Sequence, residues 1–499
     1  MEKPYELPEG WMWTRLESCV DILDAQRIPI NSEEREKRKG NIPYYGATGQ
    51  IGWIDGHLFD EELVLLGEDG APFFENTKSV AYTITGKSWV NNHAHVLRAV
   101  KELTSNYFLC HYLNSFDYNG YVKGTTRLKL NQSNMRTIPI LLPPLPEQHR
   151  IVSRLESLLS QVNTAKEHLD NVPPLMKQFR QSVLVAACSG RLTEDWRREH
   201  PDVEPASELL KRILEERIRR YEEECRKAKE AGRRKPKKPD NLKLHEIESE
   251  DLLELPEGWI WCKLGDIIID FQPGFACGTR DERGYVQLRM NNIGLNGKVV
   301  LEKTLKVPIE KTNLEKYDLR FGDILFNNTN SVELIGKTVL FREEIENCTF
   351  SNHITRIRPD KWLINSEFFL NLFINEFNKG VFRMMCHRFV GQAGISREKL
   401  LNHKLPLPPF SEQQVIVERL DKLFHFADEV EQRYQKAHAH LEKLTQSILA
   451  KAFRGELVPQ DPNDEPASVL LERIKQERAK KEKDKKARKK KSKTLLDYC

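Results

Sequence analysis

Apolar residues recur at alternating intervals of four and three along two long stretches of the chain. In the first stretch they are Ile151, Leu155, Leu158, Val162, Ala165, Leu169, Val172, Met176, Phe179 and Val183. In the second stretch, 265 residues later, they are Ile416, Leu420, Leu423, Ala427, Val430, Tyr434, Ala437, Leu441, Leu444 and Ile448. A strict period of about 3.5 residues predicts coiled-coil helices over roughly 147–190 and 412–453.

The two predicted helices have the same register, so each is the natural partner of the other. We expect an antiparallel coiled-coil pair with a pseudo-twofold axis, because one chain has to bring both helices together. The alternative is that each helix is amphipathic and packs only on its own domain. Pro173 and Pro174 have no counterpart in the second stretch, and since proline removes an amide donor, the first helix should bend or restart there.

Short apolar runs bounded by Gly, Asn and Asp fill the regions that precede the two helices. Examples lie at 63–66, 79–85, 323–326 and 338–341, with helical stretches at about 104–115 and 366–378. Such runs are typical of strands and turns. The predicted fold class is therefore α+β, with two tandem α+β domains separated by the two long helices. The predicted limits are 1–146 for the first domain, 147–190 for the first helix, 191–250 for a helical, basic connector, 251–411 for the second domain, 412–453 for the second helix and 454–499 for a C-terminal segment with a basic tail.

The chain contains an internal repeat. The segment ELPEGWMW at 6–13 returns as ELPEGWIW at 254–261, and PPLPEQ at 143–148 matches PPFSEQ at 408–413. SGRL at 189–192 matches RGEL at 454–457, and EPAS at 204–207 returns at 465–468. Residues of about 22–142 and 270–407 share little similarity. The chain is thus two copies of one framework whose domains have diverged.

Composition and charge exclude several classes of protein. At 499 residues, with 39% hydrophobic residues, the chain is long enough for at least two cores. It has no apolar run of membrane-spanning length and no signal-peptide pattern at its start, so we expect a soluble, cytoplasmic protein. The net charge of +4 conceals basic runs at 475–493 and 226–238, which we expect to be solvated helix ends or arms, with non-specific phosphate attraction as the second possibility.

No arrangement of residues in the sequence predicts a catalytic or metal site. The nine cysteines lack metal-ligand spacing and are expected to be reduced, structural thiols. Gly336-Lys337-Thr338 resembles the end of a phosphate loop but lacks the loop's first glycine. The segment NVPPL at 171–175 is a poor match to the Asn-Pro-Pro-aromatic loop of adenine methyltransferases, and we interpret it as a helix kink.

Basic segments rich in hydroxyl and amide groups occur late in both domains. Residues 123–136 include four cationic and no acidic side chains, and 379–404 carries a net charge of +5. Cations attract phosphates, while Gln, Asn and Thr can hydrogen-bond base edges. The candidate DNA-binding residues are Lys123, Thr125, Thr126, Arg127, Lys129, Gln132 and Arg136 in the first domain, and Asn327, Asn328, Asn330, Arg383, Arg388, Gln392 and Arg397 in the second. Solvated loops, and ordinary turns for the asparagines, are the alternatives.

Taken together, these features resemble the specificity subunit of type I restriction-modification enzymes. The resemblance is carried by LPEGW at 7–11 and 255–259, Asn92-His93 with Arg98, Asn352-His353 with Arg358, GDIL at 322–325, and the two helix entries with their heptads. It implies a non-catalytic subunit with two target recognition domains. Each domain would bind one half of an asymmetric, interrupted site in double-stranded DNA.

The resemblance also implies partners. The helices would hold the domains apart and dock two methyltransferase subunits, and restriction subunits with ATPase, translocase and nuclease activity would join them. S-adenosylmethionine, ATP and magnesium would belong to those partners, so no cofactor and no metal is expected in this chain, and no membrane partner. The alternatives are a self-contained DNA-modifying enzyme, an adenine methyltransferase or nuclease with a coiled-coil interface, and a coiled-coil scaffold that does not bind DNA.

Overall fold

The computed structural model describes residues 7–75, 78–236, 238, 247, 252–311, 314–343, 345–359 and 364–480. The chain forms two compact units. The first unit comprises 1–171 together with 434–499, and the second comprises 172–433. The first unit therefore combines the beginning and the end of the sequence. Most of the predicted basic tail, from residue 481 onward, lies outside the described residues.

The first unit mixes short strands with short helices and one long helix. Its strands, β1 to β10, are Met12–Arg15, Val20–Ile22, Ile42–Gly46, Gly49–Ile54, Phe59–Asp60, Leu63–Gly67, Ala81–Ile84, Lys87–Val90, Ala94–Ala99 and Pro139–Leu142. Its helices, α1 to α5, are Leu16–Cys19, Ser32–Lys37, Asn106–Ser115, Gln132–Thr137 and Leu145–Asp170. A helix at 467–480 and the last part of a helix that spans Phe410–Arg454 also belong to this unit.

Two sheets build the core of the first unit, in the orders β2-β9-β6-β7 and β4-β3-β8-β5, and β1 pairs with β10. Strand β6 is buried along its whole length. Leu63 and Leu65 belong to one hydrophobic cluster, while Val64 and Leu66 belong to another that also contains Phe108 of α3. Since successive strand residues point to opposite faces, this alternation shows that β6 has apolar packing on both sides.

The second unit has the same mixed character. Its helices, α6 to α14, are Val172–Cys188, Glu194–Glu199, Ala206–Glu230, Leu264–Ile267, Leu314–Tyr317, Ser366–Asn378, Val381–Met385, Arg397–Leu401 and Phe410–Arg454, the last of which continues into the first unit. Its strands, β11 to β22, are Ile260–Lys263, Ile268–Pro273, Tyr285–Leu288, Leu305–Val307, Ile324–Asn327, Thr329–Asn330, Thr338–Leu340, Cys348–Phe350, Ile354–Pro359, His387–Phe389, Gln392–Gly394 and Lys404–Leu407.

The internal repeat is visible in the strand order. The sheet β12-β19-β15-β17 has the pattern of β2-β9-β6-β7, and the pair β11-β22 corresponds to β1-β10. Two smaller sheets, β14-β13-β18 and β16-β21-β20, complete the second unit. The helices predicted near 104–115 and 366–378 are α3 and α11. The prediction of two domains that mix helices and strands, together with long helices, is confirmed.

The heptad positions are where the long helices pack within each unit. In the first unit, Ile151 and Leu155 of α5 share a buried cluster with Ile448 of α14. In the second unit, Val183 of α6 shares a cluster with Ile416 of α14. Two more of the predicted heptad residues, Val162 and Leu420, are also buried. The half-buried ones are Leu158, Leu169, Leu423, Val430 and Leu441.

One predicted heptad position is wrong. Leu444 is 38% exposed, and Thr445 is half-buried in its place between Leu441 and Ile448. An α-helix has 3.6 residues per turn, so its inward face drifts away from a strict 3.5-residue repeat over several turns. The drift has moved the contact by one residue at this end of α14.

The first heptad stretch forms two helices rather than one. Helix α5 ends at Asp170, Asn171 caps it, and α6 begins at Val172. Pro173 and Pro174 cannot donate to the last carbonyl groups of α5, so the hydrogen-bond pattern has to restart. The interruption lies where the prolines predicted it.

The repeated motifs meet in pairs inside each unit. Trp259 Nε1 donates to Glu412 Oε2 at 2.8 Å, and Trp11 Nε1 donates to Glu147 Oε2 at 2.9 Å. Gly190 has a φ of +74°, and a Cβ there would lie 2.6 Å from Pro256 Cγ. The corresponding Gly455 in the first unit has a φ of +77° and is equally crowded by a proline ring. The SGRL and RGEL motifs therefore need glycine both for the turn and for close approach to LPEGW.

Candidate nucleic-acid interface

The basic segment of the first unit forms a hairpin with an exposed tip. Lys123 and Lys129 are bridged by two backbone hydrogen bonds of 2.9 and 2.8 Å. Gly124 turns the chain at a φ of +107°, and a Cβ there would lie 2.3 Å from the carbonyl oxygen of Arg127. Thr125 and Thr126 are exposed at the tip. The hairpin thus presents two hydroxyl groups between cationic side chains.

Two cations of this hairpin are bonded to acidic residues of the domain core. Arg127 Nη2 lies 2.8 Å from Asp69 Oδ1, and Lys129 Nζ lies 3.2 Å from Glu68 Oε1. His93 Nδ1 lies 2.6 Å from the same Asp69 oxygen. These contacts fix the base of the hairpin against the ends of the two central strands, β6 and β9.

Lys123 differs from these residues in having a free ammonium group. Among the described residues its side chain has no hydrogen-bond or ion-pair partner. Arg136 is only loosely paired, with Nη1 3.9 Å from Glu17 Oε2. Lys123 can therefore meet a phosphate without breaking an existing contact.

Next to the hairpin, the carboxylate of Asp24 is hydrogen-bonded to three residues. His95 Nδ1 lies 2.7 Å from Asp24 Oδ2, Gln132 Nε2 donates to the same oxygen at 2.9 Å, and Val96 N donates to Oδ1 at 2.9 Å. Burial by itself raises the pKa of the Asp24 carboxyl, but the hydrogen bonds and the charge of His95 outweigh it and hold that pKa below its ordinary value. His95 Nε2 also lies 2.8 Å from the carbonyl oxygen of Leu130, which ends the hairpin.

The second unit also has a hairpin in its basic segment, formed by β20 and β21. Arg388 and Gln392 are exposed on it, and Arg383 is exposed on α12 just before it. In the part of the chain that the structure describes, neither arginine side chain has a hydrogen-bond or ion-pair partner. Arg397 is anchored, because its Nη1 donates to the carbonyl oxygen of Phe271 at 2.9 Å and its guanidinium lies over that ring.

The asparagine-rich loop is turned inward. Asn327 is fully buried, and its Nδ2 donates to the carbonyl oxygen of His353 at 2.8 Å. Asn330 is 9% exposed and donates to Asn327 Oδ1, and Asn328 Nδ2 donates to Thr355 Oγ1 at 2.8 Å. The prediction of Asn327 and Asn330 as DNA-binding residues is corrected, because both are buried and their polar atoms hydrogen-bond within the loop itself.

The comparison with known families matches the two units directly. The model of the type I restriction modification DNA specificity domain matches residues 8–172 and again 256–438. The chain belongs to this family. It is a type I restriction-modification specificity subunit with two tandem DNA specificity domains, as the sequence predicted.

Relatives of the specificity subunit cover almost the whole chain. The EcoKI specificity subunit of Escherichia coli K12 is 29% identical over 505 residues, with 95% of this chain and 96% of the relative covered. The EcoBI specificity subunit of Escherichia coli is 27% identical over 498 residues, covering 94% and 92%. A structure concerned with complex assembly and conformational transition of the type I R-M system covers 91% of this chain and all of its own, with a TM-score of 0.59 and 18% identity. The HsdS subunit of Thermoanaerobacter tengcongensis covers 91% and 99%, with a TM-score of 0.51 and 19% identity.

The residues that carried the family resemblance are structural in this specificity subunit. Arg98 forms two bonds of 2.7 Å with Glu61, and Arg358 forms bonds of 2.6 and 2.7 Å with Asp323. Such paired bonds hold one strand against the loop before another. The sequence did not identify the acidic partner of either arginine, because neither has a fixed spacing from it.

Within the described ranges, no group of His, Cys, Asp and Glu is placed to hold a metal ion, and no helix is both long and apolar enough to cross a membrane.

Lys337, from the apparent phosphate loop, is buried and donates to the carbonyl oxygens of Met290 and Ile293 at 3.0 and 2.7 Å. Cys19, Cys110 and Cys188 are free thiols, and burial raises the pKa of each to about 12. These groups have structural roles.

Proposed function

We propose that each unit reads one half of an interrupted, asymmetric site in double-stranded DNA through its basic hairpin. The observation that carries the proposal is the presence of a hairpin at equivalent positions of two domains whose sequences share little similarity. Each hairpin is followed by a short helix whose first turn is capped by a side chain, Asn131 before α4 and Ser396 before α13. Each presents an exposed cation that has no ion pair among the described residues, Lys123 in the first hairpin and Arg388 in the second.

In this proposal, phosphate contacts and base contacts are made by different side chains. Lys123, Arg383 and Arg388 attract phosphates, which positions each unit without selecting a sequence. Thr125, Thr126 and Gln392 offer hydroxyl and amide groups that match base edges in the major groove. The remaining candidates, Arg127, Lys129, Gln132, Arg136, Asn328 and Arg397, hold the hairpins or lie beside them.

The long helices form the spacer of the proposed reader. We propose that α5 and α6 pair antiparallel with α14 as a coiled coil with pseudo-twofold symmetry. Contacts inside each unit support this, since the start of α5 packs on the end of α14 and the end of α6 packs on its start. Arg180 of α6 reinforces the packing through Asp428, at 2.8 Å. The length of the pair would then set the gap between the half-sites.

Methylation and cleavage are assigned to partner subunits. The proposal places two methyltransferase subunits on the spacer and recognition domains, with restriction subunits that supply ATPase, translocase and nuclease activities. S-adenosylmethionine, ATP and magnesium would be held by those partners, and this chain would choose the sequence on which they act.

A domain exchange tests independent reading. Residues 22–142 are replaced by the corresponding segment of another specificity subunit, and adenine methylation is mapped by single-molecule sequencing in cells that contain the methyltransferase partner. We expect one half-site to change while the other half-site and the gap stay constant. Replacement of 270–407 is the matched control and should change the opposite half-site. Loss or change of both half-sites from a single exchange would contradict independent reading.

A further inference from the structure

The two basic hairpins have chemically opposite tips. They occupy equivalent places at an offset of 265 residues, where Lys123 corresponds to Arg388 and the buried Leu130 to the buried Ile395. The first tip is Gly124-Thr125-Thr126, whereas the second is Phe389-Val390-Gly391. A polar tip in one copy is therefore an apolar tip in the other.

The apolar side chains of the second tip face solvent. Phe389 is 66% exposed and Val390 is completely exposed. They sit at a two-residue turn, with Gly391 at a φ of +77°, in a ladder that pairs Phe389 with Gln392 and Arg388 with Ala393. The Phe389 ring lies along the backbone of Gly394, where an added Cβ would be 3.3 Å from the ring. The backbone thus supports one side of the ring and leaves the rest open for contact.

The charge around this tip selects its partner. Arg383, His387 and Arg388 are exposed beside it, and the described residues give the two arginines no ion pair. Glu333 is the nearby acid: hydrogen bonds from its own amide and from Ser331 lower the pKa of its carboxyl, and both arginines add to that effect. Guanidinium groups without an ion pair attract the phosphates of a polyanion such as DNA. An apolar tip between them favours a polyanion that also has apolar groups to contact.

We infer that Phe389 and Val390 contact the 5-methyl group of a thymine in the half-site read by the second unit. This rests on the proposed function. A two-stranded ribbon fits the major groove, where the thymine methyl is the apolar group on the base edges. Residues opposite each other in an antiparallel ladder project to the same face, so Phe389 and Gln392 lie together. The Gln392 amide matches the N6/N7 edge of adenine and complements the methyl contact at a thymine–adenine pair.

The test removes the methyl group from the DNA. The full chain in complex with its methyltransferase partner is titrated with duplexes in which each thymine of the second half-site is replaced by uracil. For the natural sequence, one thymine-to-uracil change should weaken binding about fourfold, the equivalent of about 0.8 kcal/mol for a buried methyl group. In the double variant Phe389→Ala with Val390→Ala, binding of the thymine and uracil duplexes should become equal.

Two controls keep the test specific. Thr125→Ala with Thr126→Ala in the first hairpin should leave thymine–uracil discrimination in the second half-site unchanged, and circular dichroism should show that both double variants fold. A second half-site without thymine, or discrimination that survives in the Phe389/Val390 variant, would overturn the inference. The inference would also be wrong if the Phe389/Val390 variant no longer bound the methyltransferase subunit while its thymine–uracil discrimination stayed unchanged. The tip would then contact that subunit rather than DNA. Failure of the natural complex to bind its methylated site selectively would instead refute the proposed function.

Discussion

The indole nitrogen of Trp259 donates to Glu412 Oε2 at 2.8 Å inside the second unit. The other oxygen of that carboxylate accepts from Thr193 Oγ1 at 2.5 Å and is also bonded by Arg197. Among the described residues, the corresponding carboxylate of the first unit, Glu147, has the tryptophan bond alone, and its Oε1 is buried without a hydrogen-bond partner. In the repeated tryptophan–glutamate pair, both carboxylate oxygens are thus hydrogen-bonded in the second unit, but only one is in the described part of the first.

This difference predicts unequal costs for the same substitution. Glu412→Gln leaves the largely buried guanidinium of Arg197 without its carboxylate, so the second unit should lose about 3–5 kcal/mol of stability. Glu147→Gln retains an acceptor for Trp11 and should cost about 1 kcal/mol or less. Denaturant unfolding of the two full-length variants, followed by fluorescence and circular dichroism, measures both. Equal losses would contradict this account of the pair.

Glu147 also predicts a pH dependence. Burial raises the pKa of its carboxyl above the ordinary 4.5, and the charge of Asp464 adds to this, while the Trp11 bond and Arg150 oppose it. An acid whose pKa is raised by folding holds its proton more tightly in the folded state, so its contribution falls as pH rises from 4.5 through the raised pKa. Glu147→Gln should therefore gain stability relative to the natural chain as the pH rises from 4.5 until it has passed the raised pKa. Melting temperatures measured across that range test this prediction. A stability difference between the variant and the natural chain that does not vary with pH would contradict it.

Asp24 predicts the opposite change of stability with pH. Its folded-state pKa is lowered, so its stabilising contribution is present above its ordinary pKa of 3.8 and is lost as pH falls through the lowered value. Asp24→Asn should cost about 2 kcal/mol at pH 7, since charged hydrogen bonds to His95 and Gln132 are lost. The gap between variant and natural chain should narrow below about pH 4. A gap that widened on acidification would refute this assignment.

The first hairpin predicts different roles for two of its cations. Lys123→Gln should weaken DNA binding equally for all sequences and reduce the slope of log affinity against log salt by about 0.9. Arg127→Gln should reduce the slope less, because Asp69 already neutralises that guanidinium at 2.8 Å. Binding isotherms at several salt concentrations, with the partner-loaded complex, separate the two. A larger effect for Arg127 would show that its ion pair opens on DNA.

The proposed spacer predicts a change in gap alone. Insertion of one heptad into α5 and a matched heptad into the part of α14 that packs on it lengthens the pair by about 10 Å, or roughly three base pairs. Methylation mapping should show the two original half-sites with a longer gap. Altered half-sites with an unaltered gap would exclude the spacer model, and an insertion in α5 alone is the mismatched control.

The sequence predicted the repeating parts of the molecule best. The period of α5, α6 and α14, the break at Pro173 and the duplicated motifs are local patterns, so they could be recognised without a structure. Leu444 was missed because a small drift in helical phase accumulates over many turns. The burial of Asn327 could not be predicted because its partner, the carbonyl of His353, lies 26 residues away in the turn before β19. The exposure of Phe389 could not be predicted because the sequence does not show which residues lie at the turn of the β20–β21 hairpin.

The division of the chain has a consequence for synthesis on the ribosome. The second unit is continuous, from 172 to 433, whereas the core of the first unit combines Leu155 with Ile448, Phe453 and Leu470. Domains generally fold as their sequences emerge. The amino-terminal residues are translated first, yet their core is complete only when nearly the whole chain has left the ribosome. The middle of the sequence can therefore reach its final packing before the beginning does.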